Sequence, residues 1–170
     1  MTILNVQPTI EVSAMLLPVS GGVTLVSKED FCPLANKGWY LWKSKRNTTT
    51  YVVRNLKRDG KWTTEFMHRA IMKPKRAEVT DHIDSSGTNN QRANLRVCTS
   101  SQNLQNRRPH KNNTSGFKGV SWSKAMKKWQ ATITASGKRQ TLGYFTTPEA
   151  AYEAYCNAAH KYHGAFARVA

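Results

Sequence analysis

No apolar period runs across residues 104–116, LQNRRPHKNNTSG. A polar, basic stretch broken by Pro109 cannot lie inside a shared core, because its unpaired peptide groups would lose their bonds to water. The 170-residue chain is therefore expected to fold as two small modules, divided near residues 107–113, and not around one continuous interior. A hydrophobic content of 39% agrees, since small domains keep a large share of their surface in water.

Beyond the break the pattern is compact. GFKGVSW, KWQATITAS and RQTLGYF read as three short strands separated by SKAMKK and ASGKR. TTPEAAYEAYCNAAHKYHG then reads as a helix, with Thr146 or Thr147 as its cap, Pro148 in its first turn and Gly164 closing it. Ala151, Ala154, Tyr155, Ala158, Ala159 and Tyr162 recur at helical spacing, and the alanines let that helix lie close against a sheet. On the middle strand Trp129, Ala131 and Ile133 are expected to face the helix. Gln130, Thr132 and Thr134 then face outward.

Before the break the signals are β-rich. GGVTLVS reads as a strand, and Ser27 is placed to cap a helical turn over KEDFCPLAN. WYLWKS and YVVRNL are rich in aromatic and β-branched residues, and Asp59-Gly60 supplies the positive φ of a hairpin turn. TTEFMHRAIM carries apolar side chains inward ahead of the basic connector KPKRAE. Residues 1–20 show no clear period. The expected class is α+β, with a β-rich N-terminal region, a central module ending near residue 106, and a three-stranded antiparallel sheet packed on one helix over 114–170.

Charge narrows the function. Lys and Arg number 26 against 10 Asp and Glu, a formal +16. Nets of +4, +5 and +7 over residues 1–60, 61–110 and 111–170 show that no single tail carries it. Such a field attracts polyanions, and nucleic acid is the expected partner. Cys32, Cys98 and Cys156 lie far apart without CxxC spacing, which speaks against a disulfide framework or a thiolate zinc site and suits a reducing cytoplasm. AMLLPV is too short to span a bilayer, and the first residues lack the basic start of a secretory signal. A soluble cytoplasmic protein, with no membrane and no small-molecule cofactor, is expected.

The chemistry concentrates in DHIDSSGTNNQRANLRVCTSSQN, residues 81–103. Hydrolysing a phosphodiester requires a water to lose a proton and charge to be neutralised on the phosphorane and the departing 3′ oxygen. An imidazole near its ordinary pKa of about 6.5 suits the first task. One divalent cation held by few oxygens suits the others. Asp81 offers a hard oxygen beside His82, and an asparagine amide can orient an imidazole or complete a metal shell without adding charge.

EVTDHID…NNQRANLRVCTSSQN resembles the HNH motif of ββα-metal nucleases, in the form found in phage and intron homing endonucleases. Asn94 stands twelve residues after His82, and Asn103 nine after that, as in the family. The resemblance implies Asp81 and Asn103 as metal ligands, His82 as general base and Asn94 as the residue that orients it. The implied cofactor is one Mg²⁺ or Mn²⁺ ion. DSSGTNN replaces the DGN-like turn of many members; Asn89 and Asn90 are expected to shape that loop, and Arg92 and Arg96 to touch phosphate. His68 in MHRAIM also fits the family's upstream segment, with packing as its expected role.

TSGFKGVSWSKAMKKWQATITASGKRQTLGYFTTPEAAYEAYCNAAHKYHGAFA, residues 114–166, resembles the AP-two type domain of plant ethylene-response factors, whose sheet lies in the major groove. Lys118, Ser123, Gln130, Thr132, Thr134, Arg139 and Thr141 fall on the implied DNA face. Lys124, Lys127 and Lys128 in the first turn are set to grip phosphate, as are Arg107 and Arg108 in the connector. Ser, Thr and Gln replace many of the plant domain's Arg and Trp residues, so base preference does not carry over. Together the resemblances imply a metal-dependent endonuclease of 21–106, acting on double-stranded DNA and joined by 107–113 to a DNA-reading domain of 114–170. With one catalytic set per chain it is by default a monomer that nicks one strand. The alternative is a catalytically silent DNA-binding regulator built from the same modules.

Overall fold

The computed structural model describes residues 13–43, 49–109 and 112–169. His110 and most of the N-terminal segment lie outside them. The described residues form eleven strands in four small sheets, with four helices, a mixed α+β architecture. Contacts divide the chain into two units: the chain up to Arg76 with Thr80–Val97, and Ala77–Val79 with Cys98 onward.

In the first unit, β1 (Ala14–Val19) pairs antiparallel with β2 (Gly22–Ser27), and β2 pairs in parallel with the two-residue β7 (Asn89–Asn90). AMLLPV, without a period of its own, is thus a strand. It buries Leu17 and leaves Leu16 62% exposed, the alternation a half-covered sheet requires. The helix α1 (Lys28–Leu34) follows β2 directly. Ser27 stands at its N-cap, but its hydroxyl makes no bond to the helix and accepts from the Arg92 backbone N–H (2.9 Å).

A second sheet has the order β3 (Tyr40–Lys43), β4 (Thr50–Arg58), β5 (Lys61–Phe66). Asp59 (φ 49°) and Gly60 (φ 75°) make the β4–β5 turn, both left-handed as a two-residue hairpin demands. The short helix α2 (Met67–Met72) continues from β5 and buries Met67, His68 and Ile71. Leu17, Val26, Leu34, Trp39, Val52, Met67, Ile71 and Leu95 form the core of this unit. Beyond it β6 (Val79–His82) pairs with β8 (Leu95–Cys98), so strand, loop, strand and then helix α3 (Ser100–Gln105) follow in chain order.

The second unit holds α3 and a three-stranded antiparallel sheet. Its middle strand β10 (Lys128–Ala135) lies between β9 (Val120–Ser123) and β11 (Lys138–Phe145). The helix α4 (Pro148–His163) covers one face, packing Ala151, Tyr155, Ala158 and Ala159 on Val120, Ala131 and Ile133. Thr147 is its cap, accepting from Ala150 N–H (3.2 Å), and Gly164 closes it. Tyr162, expected in the buried stripe, is 45% exposed; the next residue, His163, turns inward and donates from Nε2 to the Thr134 carbonyl (3.0 Å).

Candidate active site

β6 delivers Asp81 and His82 side by side, and both are buried (6% exposed each). A carboxylate so far from water needs a cation, and Arg96 on β8 supplies it. Nε and Nη2 both donate to Asp81 Oδ2, at 2.9 and 2.7 Å. This corrects the expectation for Arg96. Its guanidinium is largely buried and holds the acid across the two strands; it is not presented to phosphate.

The imidazole of His82 is fixed by a chain of bonds that leaves little choice of proton position. The Thr88 carbonyl can only accept, so the Thr24 hydroxyl donates to it (2.7 Å). Thr24 Oγ1 must then accept from Asn90 Nδ2 (2.9 Å). That turns Asn90 Oδ1 toward His82 Nε2, 3.2 Å away, and makes Nε2 the protonated nitrogen. The lone pair accordingly sits on Nδ1. Asn90 has no exposed surface, so the arrangement is set by packing as well as by hydrogen bonds. Burial lowers the His82 pKa below the ordinary histidine value, opposed by the Asn90 bond and by Asp84 and Asp81. A neutral base is the result.

Asn94, expected to orient His82, does something else. Its Nδ2 donates to Asp84 Oδ1 (2.9 Å) and to the Asn89 carbonyl (2.8 Å), while its Oδ1 accepts from Asp84 N–H (3.1 Å). Asp84 is the hub of the loop, also taking Ser86 N–H (2.7 Å) and Asn89 Nδ2 (2.8 Å). Partial burial works against its charge. The bonds from Ser86, Asn89 and Asn94 prevail and hold its carboxyl below the usual range. Gly87 lets this loop press on β4, since a Cβ there would collide with the Thr50 carbonyl and the Tyr51 ring. Asn94 therefore shapes the loop that carries Asn90, and Asn90 meets the imidazole. No family interval marks Asn90; its one hint is an asparagine pair after Gly-Thr.

His68 also belongs to this site. Its ring lies edge-on to His82, with centroids 4.8 Å apart, and Phe66 and Tyr51 enclose it at 5.4 and 5.9 Å. It is 8% exposed, and among the described residues Nδ1 has no hydrogen-bond partner. Burial, then His82 and Arg69, pull its pKa down to about 3, so it is neutral at any ordinary pH.

Asn103 lies on α3 in the second unit, whose start is secured by a reciprocal Thr99–Gln102 capping box. Among the described residues no three His, Cys, Asp or Glu side chains gather as a metal cage. Asp81, in the first unit, offers a single carboxylate, and a hard cation there would keep most of its waters. Because Arg96 engages Oδ2, an ion at Asp81 would share that carboxylate with the guanidinium.

Arg92, expected to touch phosphate, is also paired within the protein, its side chain 46% exposed. It forks onto Asp30, with Nε to Oδ2 and Nη2 to Oδ1 both at 2.7 Å, and this pairing pushes its pKa up. It fastens the turn over Arg92–Asn94 to α1, because the buried Asp30 requires a counter-charge.

In the second unit the outward face of the sheet carries Gln130, Thr134, Arg139 and Thr141, with Lys124, Lys127 and Lys128 exposed in and beside the β9–β10 turn. Gln130 donates to Thr141 Oγ1 (3.1 Å) and to the Tyr144 hydroxyl (3.3 Å), so Tyr144, 41% exposed, joins this face. Ser123 accepts from Met126 N–H (3.3 Å) and serves the turn. Arg107 and Arg108 are exposed. Two residues of the implied face are engaged by the protein itself. Thr132 lies opposite Thr141 on that face but is buried (8% exposed), its hydroxyl accepting from Arg139 Nη2 (3.2 Å). Lys118 precedes β9, and its ammonium bonds the Gln105 carbonyl; burial and then Arg168 lower its pKa to about 8. Trp122 packs edge-on against Trp129 at 5.2 Å yet stays 47% exposed.

Among the described residues no helix is long and apolar enough to cross a membrane. No family model matches the chain, and no solved structure matches it. The chain is similar to Protein 3.8 of Escherichia phage T7, with 44% identity over 62 residues, which is 36% of this chain and 51% of that protein. The similarity thus spans about half the length of the phage protein.

Proposed function

We propose that this protein is a metal-dependent DNA endonuclease of the HNH type that nicks duplex DNA, with the outward face of β9–β11 holding it on its target. The observation that carries the reading is His82, kept neutral by burial and held with Nε2 protonated by the Asn90–Thr24–Thr88 chain, beside a buried carboxylate. An imidazole in that tautomer accepts a proton at Nδ1 and can then draw on the Asn90 amide oxygen to stabilise its charged form. Arg96 fixes the Asp81 carboxylate in place. Asp81 is the first unit's residue that would hold the divalent ion, which when bound supplies charge neutralisation at the phosphorane and the 3′ oxygen. The products are a 5′-phosphate and a 3′-hydroxyl. Net charge and the phage relative support duplex DNA as the substrate and a host cell's cytoplasm as the place of action.

The test is relaxation of supercoiled plasmid by wild type and His82→Ala with Mg²⁺ or Mn²⁺. Loss of the base should slow nicking by about 100-fold or more, and equal rates would remove His82 from the chemistry. The ion pair between Asp81 and Arg96 favours one other reading, a DNA-binding regulator in which the acid is purely structural. Duplex binding by wild type that survives chelation, with no nicking of any target, would favour that reading.

A further inference from the structure

The first unit carries a charged cleft that the catalytic reading does not use. β4, β5 and α2 enclose an open space of about 530 Å³. Its charged lining is Arg54, Arg58, Arg69 and Lys73 against the single carboxylate of Glu65, a local net of +3. Glu65 is not a simple neutraliser. Oε2 takes Nε and Nη2 of Arg54 at 2.8 and 2.6 Å, and Oε1 takes Nη2 of Arg58 at 2.7 Å. One acid therefore arrests two guanidinium forks, and Arg54 also lies 4.6 Å over the ring of the buried Trp39. Much of the entropy that binding would take from these long side chains is already lost in the free protein.

Arg69 and Lys73 stand one turn apart at the end of α2, with no acidic partner for either among the described residues. Both cations line the same cleft, so an anion there would be favoured. The lining lacks the enclosing apolar walls that hold a nucleobase; the exposed Thr63 adds a hydroxyl to the rim. Fixed guanidinium forks, an ammonium and hydroxyls spread over an open surface match the repeating phosphates of a strand better than one small ligand.

We propose that this cleft is a second DNA-binding surface, which grips the sugar-phosphate backbone of the duplex on the same helix that carries His68. The proposal rests on the endonuclease reading for the identity of its ligand. Binding of a fluorescein-labelled duplex is measured by anisotropy over a range of salt concentrations, in EDTA so that nothing is cut. The proteins are wild type, the triple variant Arg58→Gln, Arg69→Gln, Lys73→Gln, and a control, Lys28→Gln with Lys37→Gln, whose exposed lysines lie outside the cleft.

Each lost phosphate contact removes about 0.9 from the slope of log K against log salt. The triple variant should therefore bind with a slope shallower by roughly 2 to 3, and the control should change it by less than one. An unchanged slope, or the same loss per charge in the control, overturns the cleft while leaving the endonuclease reading intact. Absence of duplex binding by wild type overturns both. If circular dichroism shows the triple variant unfolded, Arg69→Gln and Lys73→Gln taken singly should each lower the slope by about 1, and no change in either refutes the proposal.

Discussion

His68 shows at the scale of one residue how burial becomes a pH dependence. Its ring is enclosed by His82, Phe66 and Tyr51, and its folded pKa lies near 3 against 6.5 when exposed. A histidine whose folded pKa is depressed is neutral in the native state and takes up a proton on unfolding. Its contribution is thus complete above pH 6.5 and is lost as pH falls from there toward 3. Chemical denaturation of the intact protein should show stability declining by up to about 1.4 kcal/mol per pH unit in the upper part of that range. His82, shifted in the same direction, adds to the trend. His68→Phe should flatten the slope; an equally steep decline in the variant would place the dependence elsewhere. The acid–imidazole pair itself was legible in the sequence, because adjacency on a strand needs no tertiary information. The amide that holds the imidazole was not. Asn90 reaches His82 only because β7 pairs in parallel with β2 and sets Thr24 beneath it, a meeting of residues 66 positions apart.

Among the elements, helix α4 shows which features a sequence declares. Thr147, Pro148 and Gly164 act within a turn of their own positions, as does the Asp59-Gly60 hairpin, so local chemistry is enough to place them. The register shift beside Ala131 and Thr132 obeys a different rule: Ala131 pairs with Gly143 and Thr132 with Thr141, so β11 carries the extra residue, Leu142. Alternation along β10 keeps Thr132 on the outward face with Gln130, yet it is buried, its hydroxyl bonded to Arg139 and its N–H to the Gly119 carbonyl (2.8 Å). The partners of Arg92 and Arg96 were hidden for a related reason: buried acids at Asp30 and Asp81 pair with them, and burial is not written in a charge pattern. Gly119 is where β9, β10 and α4 meet. Its φ is +75°, and a Cβ would strike the Tyr155 ring and stand 2.8 Å from the Thr132 carbonyl. Gly119→Ala should cost about 2 kcal/mol or more, combining backbone strain with a clash that a rigid ring and a sheet carbonyl cannot relieve. Gly137→Ala is the natural comparison, since φ is +74° but nothing lies within 4 Å. It should cost only about 1 kcal/mol, the strain alone. Equal losses in urea unfolding followed by tryptophan fluorescence would show that close approach does not matter at Gly119.

For the molecule as a whole, on the proposed endonuclease reading, the even spread of charge implies that holding DNA and cutting it would be separable properties of one chain. Nets of +4, +5 and +7 along the sequence place attraction on both units, whereas the proposed base and its bond chain reside in the first alone. Lys128 and Arg139, exposed on the second unit's sheet, would then act on substrate and transition state alike. Uniform binding of that kind lowers KM without altering kcat. Lys128→Gln with Arg139→Gln should accordingly raise KM for a duplex substrate by about tenfold, two phosphate contacts at roughly 0.7 kcal/mol each, with kcat within about a factor of two of wild type. His82→Ala should do the reverse, losing kcat with KM little changed. The added salt dependence separates the two further: raising ionic strength should mimic the sheet variant and never the histidine one, because counterion release acts on binding and not on proton transfer. If the sheet variant instead loses kcat at saturating DNA, the second unit takes part in aligning the scissile phosphate, and the division of labour between the units is not the one its charge distribution implies.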